Sequence, residues 1–247
     1  MATTFKPLGQ NDVISTKTLL HENIPLTGTI VSGTYATDNI KTYAHGMFQS
    51  VFDFPYLSSS ANHIFDVTMG YSTNSPMYPL TTLASAQQKK KNNIYNQLAQ
   101  ILVGYDTNGQ IQQFDADGDI LAGGKKIDQG IFLTFSRLLV KDEIKKGSVQ
   151  IKLGTDHDCV DVFGQITTIT DVEGSDTFYV NSPAGEYGIL WAERDATNNI
   201  YASYSDFKTI NSTNYVRAGL VFYQAGVALL TSSLFLGYDD GGLLNHT

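Results

Sequence analysis

The chain has 247 residues, 42% of them hydrophobic and only 16% charged, with a formal net charge of -8. That length suits one large β-rich or α+β domain, and a charge content below the roughly 25% usual in soluble domains points to a surface of uncharged polar groups or one covered by another chain. The acidic balance speaks against a nucleic-acid partner, the 14 Tyr, 13 Phe and 22 Gly speak against a helical bundle, and one cysteine, Cys159, excludes an internal disulfide and any cysteine-rich metal site.

Residues 1–27 read as an extended N-terminal arm, because Pro7, Gly9 and Pro25 break it and Val13, Ile14, Leu19 and Leu20 keep no common period. The start, Met1 to Lys6, has no apolar core of an export signal, so the chain is expected to stay where it is made until assembly or lysis. Residues 28–247 are expected to form one β-rich domain. Within it residues 27–35 and 64–71 predict strands, and residues 72–79, rich in Ser, Asn and Pro, predict a loop. The segment between the two strands concentrates Phe48, Phe52, Phe54 and Tyr56 without a sustained period.

One amphipathic helix is predicted over about 84–103. Ile94, Leu98, Ile101 and Leu102 recur at helical spacing and are expected to share a buried face, and Gly104 supplies the stop. Lys89, Lys90 and Lys91 lie in this helix; without interleaved aromatics they read as a solvated face and not as a nucleic-acid or lipid patch. Asp106, Thr107, Asn108 and Gly109 then carry a hairpin signal. Residues 131–140 read as a buried strand, 141–147 as a charged turn or short helix, and 148–153 as an alternating strand; short strands continue through 154–180 and 186–217. Residues 219–237 are the most apolar stretch and approach the length of a bilayer span. Gln224 and Gly226 interrupt the run and no basic flank orients it, so a glycine-centred hairpin is expected, packed near Phe132 and Leu138. No tandem repeat stands out.

Two clusters invite a chemical reading. Asp115, Asp117 and Asp119 match positions one, three and five of a calcium loop, but position six is Ile120 where glycine makes the bend, and position twelve is Lys126 where a bidentate Glu closes the shell. The reading is an acidic turn without metal, with a calcium site of another type as the alternative. His157 and Cys159 would share one side of an extended segment, but His21, His45, His63 and His246 show no paired ligand spacing, so the pair reads as an exposed polar loop. There is no nucleophile elbow, phosphate loop or dinucleotide fingerprint. No catalytic residue, cofactor, metal or small-molecule substrate is expected.

Seven segments along almost the whole chain carry a resemblance: residues 4–13 (TFKPLGQNDV), 26–35 (LTGTIVSGTY), 45–53 (HGMFQSVFD), 56–66 (YLSSSANHIFD), 135–147 (FSRLLVKDEIKKG), 179–188 (YVNSPAGEYG) and 222–226 (FYQAG). Together they resemble virion structural proteins of T4-like tailed phages, especially those of marine cyanobacteria. The resemblance implies a multi-copy part made in the host cytoplasm and built into the virion, with a tail or baseplate position as first choice. A neck, collar or head-decoration protein is the alternative, and a receptor-binding or fibre-attachment module comes third. Expected partners are copies of the chain itself and neighbouring virion proteins, with no nucleic acid and no membrane.

The expected architecture is therefore mainly β, a sandwich or barrel-like domain with one helix and an N-terminal arm. Its contact surface is expected on Phe5, Leu19 and Leu20 of the arm and on Phe48, Phe52, Phe54 and Tyr56, since large apolar groups outside periodic elements normally seek burial against a partner.

Overall fold

The computed structural model describes residues 39–59, 61–78, 85–120, 123–136, 143–154, 166–193 and 207–235. The fold is mainly β with one helix. Its strands are β1 (Ile40–Thr42), β2 (Gln49–Phe52), β3 (His63–Tyr71), β4 (Gln129–Phe135), β5 (Gln150–Gly154), β6 (Ile166–Thr170), β7 (Tyr179–Ser182), β8 (Gly185–Glu193), β9 (Phe207–Ile210), β10 (Thr213–Phe222) and β11 (Val227–Thr231). All eleven join one antiparallel sheet in the order β1-β2-β3-β4-β11-β10-β8-β6-β5, with β7 branching from β8 and β9 from β10. The expected strand over 27–35, the arm 1–27 and Leu138 lie outside the described residues.

Alternation along the central strands supplies two cores. Phe132, Tyr187, Leu220, Phe222, Val227 and Leu229 point to one face, where Tyr95, Ala99 and Leu102 of the helix and Phe114, Ile120 and Ile127 cover them. Leu190, Val221, Tyr223, Ala228 and Leu230 point to the other, where they meet Ile169 of β6, Leu234 of the 3-10 turn Ser232–Phe235, and partly buried Ile151 and Leu153 of β5. Strands covered on both faces read as continuous apolar runs. That explains why residues 219–231 resemble a bilayer span in sequence, although β10 and β11 form the expected hairpin and Leu229 pairs with Phe132 of β4. Among the described residues no helix is long and apolar enough to cross a membrane.

The helix α1 spans Ala86–Leu102 and begins with a capping box: the Ser85 side chain accepts from Gln88 N, and the Gln88 side chain accepts from Ser85 N. Its buried face corrects the expected one. Asn92, Ile94, Tyr95, Ala99 and Leu102 are buried, whereas Ile101 is 62% exposed. Tyr95 occupies the centre of the face, and at roughly 100° per residue Ile101 falls about 120° away from it, beyond the edge of the buried stripe. The helix can press on β3 because Gly70 has no side chain: a Cβ there would stand 3.0 Å from the Tyr95 backbone nitrogen. The lysine run is also less uniform than expected. Lys89 and Lys90 are exposed, but Lys91 Nζ donates to Met47 O at 3.2 Å, and partial burial lowers its pKa.

β8 and β10, at nine and ten residues, are longer than the short strands expected there. A bulge in β10 accounts for the misreading. Arg217 pairs with Trp191 and Gly219 with Leu190, so Ala218 is an extra residue and the inward side switches parity. Val216 and Ala218 face the second core before the bulge, and Val221 and Tyr223 face it afterwards.

Candidate functional site

Among the described residues the sheet order begins at β1, and three aromatic contacts gather in the turn that leads from it to β2. Tyr43 stacks on His45 with ring centroids 5.2 Å apart, and Phe48 lies 4.9 Å from Tyr43 and 5.0 Å from His45. Phe52 adjoins His63 at 5.5 Å and Tyr56 at 6.3 Å. These rings are held from beneath by polar contacts: Thr68 Oγ1 donates to Met47 O at 2.5 Å, and Lys91 Nζ reaches the same carbonyl. Fractional exposure separates the expected contact residues. Phe48 (37%) and Phe54 (43%) are exposed, whereas Phe52 and Tyr56 are half-buried against each other; Leu57, which is not among the expected residues, is 88% exposed. Leu57, the most exposed of them, sits in a turn where sequence pattern carries no sign of its burial. Phe5, Leu19 and Leu20 lie outside the described residues, as do His157 and Cys159.

Beneath the rings Ser50, Asp66 and His63 converge. Ser50 Oγ donates to Asp66 Oδ1 at 2.5 Å, and His63 Nε2 lies 2.8 Å from the same oxygen. A Ser-His-Asp triad requires the imidazole between hydroxyl and carboxylate. Here the carboxylate stands in the middle, so this order locks β2 to β3 and does not activate the serine.

On the other side of the molecule the Asp115 loop is built into the first core. Phe114, fully buried, anchors its start through rings 5.4 Å from Tyr95 and 5.6 Å from Phe132. Residues 114–118 pair back along 123–127, with Ala116 N donating to Lys125 O at 2.9 Å and Ile127 N to Phe114 O at 2.9 Å. The hairpin β7–β8 grips the loop's backbone: Tyr179 Oη donates to Asp117 O at 3.1 Å, Tyr187 Oη to Gly118 O at 2.8 Å, and Asn181 Nδ2 to Asp119 O at 2.9 Å. In the loop so held, Asp115, Asp117 and Asp119 bring one carboxylate oxygen each to within 4.8 Å of one another.

Both departures from the calcium-loop pattern acquire a structural meaning. Ile120 adopts φ 57°, the left-handed backbone for which glycine is normally used, so the bend is made despite the side chain. Lys126 forms an ion pair with Asp115, placing an ammonium beside the cluster where the closing Glu would be. Asp115 is completely buried, yet its Oδ1 has no hydrogen-bond partner, and neither does the buried Oδ1 of Asp117. Burial pushes the Asp115 carboxyl up, against the pull of Lys126, while the contact with Asp115 holds Asp117 down. A cleft of about 440 Å³, lined by Asn96, Asp106, Gln110, Gln112 and Gln113, opens beside the loop and reaches Ile120 and Lys126.

No protein-family model matches the chain, and comparison with curated proteins and with solved structures gives no match.

Proposed function

We propose that this protein is a structural component of a tailed-phage virion, built in as a tail or baseplate part and acting through protein-protein contacts. The contact role rests on one observation above all: the turns on either side of β2 leave large apolar groups exposed, Phe48 in the β1–β2 turn and Phe54 and Leu57 in the β2–β3 turn. Large exposed apolar groups offer a partner buried area. The phage assignment rests on the resemblance carried by the seven segments, two of which supply part of this surface: residues 45–53 contain Phe48 and residues 56–66 contain Leu57. In this reading the chain is made in the host cytoplasm, its partners are further copies and neighbouring virion proteins, and it has no catalytic centre.

The test is quantitative mass spectrometry of gradient-purified, salt-washed particles from infected cells. The chain is expected there in several copies per particle and to persist through washing. Its confinement to the soluble lysate would end the virion reading.

A further inference from the structure

The acidic loop departs from an ordinary surface turn because one of its carboxylates is fully buried and two of its carboxylate oxygens are buried without a hydrogen-bond partner. Asp115 is fully buried, and Lys126 occupies its Oδ2, leaving Oδ1 directed into the cluster without a hydrogen-bond partner. Asp117 Oδ1 is a second buried oxygen in the same condition. A buried carboxylate oxygen left without a donor is costly, and a cation is one way to satisfy two such oxygens together. Space for an ion is kept by Gly124, at φ 65°: a Cβ there would stand 2.9 Å from both Asp115 Oδ1 and Asp117 Oδ2.

We infer that this loop binds a hard divalent cation, calcium by preference, through one carboxylate oxygen each of Asp115, Asp117 and Asp119. The donor set is all oxygen, which selects calcium or magnesium over softer metals. Oxygens on opposite sides of a calcium ion stand about 4.6–5.2 Å apart and around magnesium about 4.0–4.2 Å. Carboxylate oxygens that all lie within 4.8 Å of one another can meet on either ion, and calcium is preferred because it tolerates an irregular, flexible ligand set where magnesium demands near-ideal octahedral geometry. Tyr179, Tyr187 and Asn181 fix the loop carbonyls from outside, so the carboxylates are positioned before the ion arrives. Lys126 sets the affinity, because its ammonium neutralises part of the carboxylate charge and repels the incoming ion.

The full-length chain is stripped with chelator and titrated with terbium, whose luminescence Tyr179 and Tyr187 can sensitise, and then with calcium as competitor. Expected results are a terbium signal displaced by calcium at about 1 mM or below, at least about tenfold weaker binding in Asp117→Asn, and tighter binding in Lys126→Gln. Asp119→Asn repeats the test should Asp117→Asn fail to fold. The inference is overturned if the unmodified chain gives no calcium-displaceable signal, which would leave a proton shared between Asp115 and Asp117 as the solution to their proximity. It is equally overturned if both Asp variants bind unchanged, or if Lys126→Gln binds more weakly.

Discussion

Asp171 is buried at the end of β6 and ties three elements together. Its Oδ2 accepts from Gly147 N at 2.7 Å and Tyr223 Oη at 3.2 Å, and its Oδ1 accepts from Val149 N at 2.8 Å. Burial nevertheless pushes its pKa above 3.8, with these hydrogen bonds opposing the rise. Asp171→Asn puts an amide where a donor already points and should cost about 2 kcal/mol. The pH dependence has a definite sign. A carboxyl whose folded pKa lies above its unfolded value contributes most below the unfolded value and loses that contribution as pH rises through the folded one. Urea unfolding of the two proteins should therefore show a larger stability gap near about pH 4 than near about pH 7; a gap that widens with pH would mean the hydrogen bonds outweigh burial. None of this is legible in sequence, where Asp171 is one more turn-forming acid. The same holds for Asp115: its spacing with Asp117 and Asp119 is visible, but its complete burial and the left-handed backbone of Ile120 are properties of the packed loop.

Local pattern specifies the elements whose partners are near in sequence. The helix is readable from its period and Gly104, and the β10–β11 hairpin from the Gly-centred interruption of an apolar run. The buried face of the helix is less readable, since Tyr95 and Ala99 displace Ile101 only once the sheet is there to receive them. The bulge in β10 is hidden for the same reason: it reverses alternation at Ala218 and so blurs the strand's period. Gly219 is the residue that permits it, because a Cβ there would stand 1.8 Å from Leu229 O of the paired strand. Gly219→Ala should lower unfolding free energy by about 3 kcal/mol or more, as expected when a backbone contact cannot yield. A loss below about 1 kcal/mol in thermal or chemical unfolding would show that β10 and β11 can separate without penalty.

At the scale of the whole molecule the mainly-β class with one helix follows from composition and turn spacing, but the strand order does not. β4 pairs with β11 and β8 with β10 across long stretches of sequence, and such pairings are settled by packing of both faces and not by any local signal. The aromatic segment from Phe48 to Tyr56 was readable as unusual, yet only the fold separates Phe48 and Phe54, which face outward, from Phe52 and Tyr56, which brace each other. If this end of the sheet is the contact surface of a virion part, its exposed groups should matter to assembly and little to folding. Each is a hot-spot candidate, worth about 2 kcal/mol or more of association when truncated.

The most direct measurement is incorporation into particles that lack the native copy, comparing the unmodified chain with a variant carrying Phe48→Ser, Phe54→Ser and Leu57→Ser. The variant should keep its thermal unfolding midpoint, since these side chains are exposed, and should be absent or strongly depleted from purified particles. Incorporation at the level of the unmodified chain would contradict the assignment of this surface to assembly.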